Sequence, residues 1–445
     1  MSGSLFLDGG PDHIQRLSNN LIFQRIYVNL RIDHVCTNYN LKPYMNAFAK
    51  CLVAISTAMI FFPSILSAQN DFTANYDESK IPEYVLPDPL VLNGGKKVKN
   101  ARQWEKKRRG EIIEIFSQEM YGHIPSRPEG LHFKTLNQEN VYEGKGIRKT
   151  VRIYLDSQEQ HWFDVLIHLP AQADAPVPMF VGLNFKSNDA TLDERADFRW
   201  PYEMVIEAGM GVATAWRDAI EPDGKDSRIK DEDICKDGGV RAWYNKDGDW
   251  GAISAWAWGL SRIMDYLETD PSVDKDNVAV IGHSRLGKTA LWAGATDTRF
   301  AAVISNNSGC CGAALSRRVY GENFAIINNA FPHWFTKEFT KYMWNEADFP
   351  ADQHWLAALA APRPLYVASA TEDRWADPQG EWLTAWHTTP VYALYGMKGL
   401  SDTMPGPDTP DSANRVGYHL RTGKHNIIAY DWKQYIDFFK RNLNR

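Results

Sequence analysis

The sequence predicts an α/β protein: a three-layer αβα sandwich around a central, mainly parallel sheet. Three observations predict it. Seven short runs are apolar throughout, the pattern of strands covered by helices on both faces. Segments with helix-like apolar spacing lie between them. One run ends in Gly282-His-Ser-Arg-Leu-Gly287-Lys288, a strand-to-helix turn at the carboxyl end of a strand, where such sheets bind ligands.

In order, the strand candidates are Trp162 to Leu169, Met179 to Leu183, Gly211 to Trp216, Val278 to Ile281, Ala301 to Ile304, Leu365 to Ala370 and Val391 to Tyr395. Each is of strand rather than helix length. Ile253 to Leu267 and Lys288 to Ala295 carry the helical spacing. The turn at Ser284 therefore sits mid-chain on a central strand.

Residues 1–44 show neither a targeting nor a clear core pattern and read as an over-extended N-terminus preceding Met45. Residues 45–68 read as a signal peptide: Lys50, an apolar run from Cys51 to Leu66, then Ser67-Ala68-Gln69 with cleavage expected after Ala68. The apolar run is roughly 16 residues, short of the ~20 that span a bilayer, so no stable membrane association is expected. Residues 69–445 then form a single domain, secreted or periplasmic and monomeric. About 375 residues suffice for one large α/β domain, and no linker, repeat or low-complexity run divides them.

The net charge of −6 argues against nucleic acid as a partner. The one strongly basic cluster, Lys96 to Arg109, is mixed with Glu105 and reads as a solvated helix face. Sixteen Trp residues are mostly expected in packing, although aromatics also stack on sugar rings. Cleavage leaves Cys235, Cys310 and Cys311, so at most one disulfide, from Cys235 to one of the adjacent pair; three buried thiols are the alternative. No metal-ligand spacing occurs, and no metal or cofactor is expected.

Gly282-x-x-x-x-Gly287-Lys288-Thr289 also matches a phosphate-binding loop. His283, Ser284, Arg285 and Leu286 would crowd a phosphate cradle, and no following strand ends at once in an acid that could hold magnesium. A nucleophile elbow fits better: a buried strand projects Ser284 from a sharp turn, with Gly282 and Gly287 removing clashing side chains.

A serine nucleophile needs a base and an acid to orient it, in the chain order Ser, Asp/Glu, His of the α/β-hydrolases. The strand Leu365 to Ala370 leads into a loop with Glu372, Asp373 and Asp377. Asp373 is the favoured acid, being close to the strand end with a short side chain; Asp377 before Pro378 reads as a turn residue. Of the later histidines, His425 lies in a Gly-containing loop just before a terminal helical segment, the usual place of the base. His387 precedes the last expected strand, and His419 reads as a satisfied structural residue.

Gly282-x-Ser284-Arg285-x-Gly287-Lys288 resembles the signature of the glucuronoyl esterases, carbohydrate esterase family fifteen. Trp104 to Pro125, Asn306 to Arg318, Tyr320-Gly-Glu322, Phe331-Pro-His-Trp334, Asp352-Gln-His354, Ala361-Pro-Arg-Pro364 and Asp373 to Glu381 resemble blocks of its bacterial members, so the likeness covers essentially the whole mature chain. The resemblance implies an α/β-hydrolase esterase domain that cleaves esters of 4-O-methyl-glucuronic acid, as in lignin-carbohydrate linkages of glucuronoxylan, through an acyl-enzyme. It implies Ser284 as nucleophile, His425 as base, Asp373 as orienting acid, Arg285 at the oxyanion, and Lys288, Glu322 and Trp375 as contacts to the glucuronate ring.

Two departures stand out. Many relatives place the orienting acid, a Glu, in the loop that here carries Asn307, so the role moves to Asp373. Fungal members bridge cysteines beside nucleophile and base, where this chain has His283 and Asn426. His283 is expected to pack or hydrogen-bond, and His333 and His354 to be structural or to line the substrate rim. The alternatives are an esterase for acetylated xylan or pectic methyl esters, a glycan-binding protein with a decayed triad and, most distant, a P-loop nucleotide-binding protein.

Overall fold

The computed structural model describes residues 72–192, 199–224, 239–246 and 248–443; the leader and cleavage site expected from the sequence, and Cys235, lie outside them. Among the described residues nine strands form one sheet: β1 (His132–Val141), β2 (Gly146–Tyr154), β3 (Trp162–Pro170), β4 (Val177–Asn184), β5 (Gly211–Trp216), β6 (Val273–His283), β7 (Ala302–Asn306), β8 (Leu365–Ala370) and β9 (Val416–Arg421). Their order is β1-β2-β3-β5-β4-β6-β7-β8-β9. The first three strands pair antiparallel, β3 pairs antiparallel with β5, and every later pairing is parallel. This is the α/β-hydrolase architecture expected from the sequence.

The core follows the two-residue period of the strands. Val278 and Val280 of β6 join one buried cluster with helices α1 (Arg109–Phe116), α2 (Ala252–Leu267) and α3 (Arg285–Thr296). Ala279 and Ile281 point the other way, to Trp432, Tyr435 and Phe439 of the C-terminal helix Ala429–Asn442. Both faces are thus covered, which is why the central strands read as unbroken apolar runs.

Two expectations change. Val391 to Tyr395 belongs to a helix, Thr389–Ala393, with Pro390 in its first turn, where a missing N–H costs nothing. The last strand is instead β9, which His387, the cap of the helix Pro378–Trp386, still precedes as expected. The Lys96 to Arg109 cluster is not a uniformly solvated face: Arg108 is buried, donates to the Pro89 carbonyl at 2.9 Å, pairs with Glu111 and lies over Trp355. Cys310 and Cys311 are buried free thiols.

Candidate active site

β6 delivers Ser284 into a tight turn with φ 57° and ψ −129°, a backbone state that costs a non-glycine residue of order 1–3 kcal/mol and marks functional turns. The turn closes because β6 and α3 touch without side chains between them. A Cβ at Gly282 would lie 1.9 Å from the Leu286 carbonyl oxygen, and one at Gly287 would lie 2.9 Å from Ser308 Cβ. The first N–H groups of α3, that of Arg285 included, lack intrahelical acceptors and carry the positive end of the helix dipole.

The loops after β8 and β9 bring the other two residues together. Thr371 N donates to the Arg421 carbonyl, Glu372 N to the Gly423 carbonyl, and Gly423 N to Thr371 Oγ1, at 2.9, 2.9 and 3.0 Å. Bound in this way, Asp373 Oδ2 meets His425 Nδ1 at 2.5 Å. The carboxylate is buried while the imidazole is partly exposed, which leaves the second ring nitrogen for a reacting group. Asn307 Nδ2 donates to the same Asp373 oxygen at 2.8 Å.

The other candidates separate cleanly. Glu372 is exposed. Asp377 has φ 52°, the turn conformation expected of it, but it is also buried and bound by Arg318 at 2.8 Å. His419 is buried between Asp431 and Tyr366. His283 Nδ1 donates to Asn306 Oδ1 at 2.6 Å, its ring 4.5 Å from that of His425; burial, reinforced by the charge of His425, pushes its pKa well down and keeps it neutral. His354 contacts the Pro87 carbonyl.

Ser284, Asp373 and His425 line one cavity of about 390 Å³ together with Arg285, Lys288, Glu322 and Trp375. Every residue singled out in the sequence for this site therefore reaches it. Lys288 donates to the Ser308 carbonyl and stands 3.8 Å from Glu322. Burial raises the Glu322 pKa, against the pull of Lys288. Trp375 is 42% exposed at the rim. Lys288 is thus turned to the loop after β7, which is not the arrangement of a phosphate loop.

Three participants were not singled out as site residues. Phe331 and Trp334 stack at 3.9 Å and line the cavity, with the Arg285 guanidinium 5.0 and 4.6 Å from their ring centres. Asp223 accepts from Arg285 at 2.5 Å, Arg217 at 3.0 Å and Trp334 Nε1 at 2.7 Å, with His333 Nε2 at 3.0 Å. Burial raises its pKa, but His333, Arg217, Arg285 and Trp334 together outweigh burial and hold it well below the usual carboxylate range. The pair Phe331 and Trp334 lay in a recognisable sequence block; Asp223 had no such signal.

A hydroxyl on a strained turn, an imidazole bound to a buried carboxylate and a cationic wall suit attack on a carbonyl and stabilisation of the resulting oxyanion. A family profile described as glucuronyl esterase of fungi matches residues 152–396. Carbohydrate esterase MZ0003, from an unknown prokaryotic organism, is 43% identical over 430 residues, covering 88% of this chain and 97% of that protein. The 4-O-methyl-glucuronoyl methylesterase of Neurospora crassa is 28% identical over 84% of this chain and 86% of its own length. Among solved structures, a promiscuous esterase of carbohydrate esterase family 15 from a marine bacterial metagenome superposes with a TM-score of 0.76 at 43% identity, over 83% of this chain and all of that one. The glucuronoyl esterase of Solibacter usitatus gives 0.76 at 41% identity, over 82% of this chain and all of its own. With likeness of this extent in sequence and in fold, the chain belongs to the glucuronoyl esterase family and is a carboxylic ester hydrolase.

Proposed function

We propose that the protein hydrolyses esters of (4-O-methyl-)glucuronic acid in glucuronoxylan, at linkages to lignin alcohols, through a serine acyl-enzyme. The observation that carries this reading is the Asp373–His425 pair opening into the same cavity as Ser284, walled by Arg285 and Lys288. Ser284 Oγ attacks the uronoyl carbonyl carbon while His425 Nε2 takes its proton, and Asp373 orients the ring through Nδ1. The α3 N-terminus and Arg285 stabilise the oxyanion, an effect worth roughly 10²–10³ in rate per donor. The tetrahedral intermediate expels the alcohol, which takes the proton from His425. Water, deprotonated by His425, then cleaves the acyl-enzyme to the free uronate and restores Ser284.

Lys288 and Glu322 contact the sugar by hydrogen bonding and Trp375 by packing. The enzyme acts as a secreted or periplasmic monomer, one esterase domain of residues 69–445; among the described residues no helix is long and apolar enough to cross a membrane. The test is hydrolysis of benzyl glucuronate against p-nitrophenyl acetate, with Ser284→Ala as control. Uronate turnover lost in the variant supports the reading. Acetate turnover alone moves the function to a general carboxylesterase, a reading the description of one relative as promiscuous keeps in view.

A further inference from the structure

The first described residues cross the two loops that carry Glu322 and Trp375. Gly321 N donates to the Asn75 carbonyl at 2.7 Å, and Asn75 Nδ2 donates to the Val319 carbonyl at 3.3 Å. One residue on, the Tyr76 carbonyl accepts from the Arg374 guanidinium, whose Nε also donates to Tyr320 Oη at 2.9 Å. The same guanidinium lies 5.2 Å from the Tyr76 ring centre and 5.8 Å from that of Tyr320. Glu78 accepts from Arg318, which Asp377 holds in turn.

The loops need such support. Val319 and Gly321 have φ of 46° and 66° in a stretch without strand or helix of its own. The two loops touch each other: Glu322 N donates to the Trp375 carbonyl at 3.0 Å, and a Cβ on Gly321 would come within 2.4 Å of that oxygen. Ordering loops of this kind costs roughly 1–2 kcal/mol per residue in backbone entropy. Core burial does not explain the crossing segment, because Phe72 and Tyr76 stay 46% and 41% exposed. Its hydrogen bonds converge instead on the residues flanking Glu322 and Trp375.

We infer that residues 72–78 are a strap completing the glucuronate subsite: Asn75 and Tyr76 are positioning residues that hold Glu322 through Gly321 and Trp375 through Arg374. The inference rests on the reading of Glu322 and Trp375 as sugar contacts. The strap therefore governs recognition of the uronate and leaves the Ser284 chemistry alone.

The experiment compares the chain beginning at Gln69 with one beginning at Ser79, and with Arg374→Ala as the point variant should the shortened chain fold poorly. Each is assayed for kcat and KM on benzyl glucuronate and for the rate at which a fluorophosphonate labels Ser284. The strap predicts KM raised by about tenfold with kcat nearly unchanged, the signature of lost ground-state binding, and an unchanged labelling rate. An unchanged KM, or a parallel fall in labelling, overturns it. Glu322→Gln and Trp375→Ala run alongside: if these leave the uronate KM unmoved, the reading of the sugar contacts fails and takes the strap with it. If they raise KM while loss of the strap does not, only the strap fails. Absence of labelling in the parent chain would instead refute Ser284 as nucleophile.

Discussion

Asn307 and His425 share one acceptor: Asn307 Nδ2 lies 2.8 Å and His425 Nδ1 2.5 Å from Asp373 Oδ2. Two donors on one oxygen fix the carboxylate's rotamer, and the shared oxygen is the one that holds the His425 imidazole. Asp373→Asn should therefore lower kcat by roughly 10²–10⁴-fold. Asp377→Asn, which touches Arg318 and not the imidazole, should leave kcat within a few-fold. Steady-state kinetics on a uronate ester checks both, and the opposite ranking would overturn the acid assignment.

Asp223 binds Arg285 from outside the cavity. If it acts through that guanidinium, Asp223→Asn should cost about 10-fold or more in kcat. In an Arg285→Ala background the same change should cost little, since contacting residues couple in a double-mutant cycle. Additive losses would show that Asp223 serves the fold rather than the oxyanion.

Glu381 is buried, accepting from Gly309 N at 3.0 Å and Ser369 Oγ at 2.7 Å, and burial pushes its pKa from 4.5 to about 8. Between those values the folded chain keeps a proton that the unfolded chain has released. Its contribution to stability is whole below about 4.5 and is lost as pH rises toward about 8. Glu381→Gln, which mimics the protonated form, should flatten the decline of Tm between pH 5 and 8. Parallel Tm profiles for parent and variant would rule this out.

Gly282 has no room for a methyl group, with backbone on the far side of the contact. Gly282→Ala should destabilise the elbow by about 2 kcal/mol or more and reduce kcat with it. Thermal unfolding and ester turnover measure the two effects; a variant with normal Tm and kcat would mean that the turn relaxes freely.

The central strands and the convergence of Ser284, Asp373 and His425 on one cavity were legible because their signals are local: unbroken apolar runs, a glycine-bounded turn, and an acid and a His in loops after late strands. β1 was missed because it is exposed along most of its length and its polar sequence, His132 to Val141, shows no apolar run. β9 was missed because His419 and Arg421 interrupt it, although both are buried and satisfied by Asp431. The helix Thr389–Ala393 read as a strand because five apolar residues are too few to reveal a period. Asp223 was invisible because the partners that tie it to the site lie far along the chain, 62 residues away at Arg285 and 110 at His333.

The loop after β7 meets the loop after β8 at Asn307 and Asp373, 66 residues apart in the chain. Both Asn307 and His425 end on the same carboxylate oxygen, so a change in either loop is felt at one atom. The two loops are therefore constrained as a pair: which side chain one of them tolerates depends on what stands in the other.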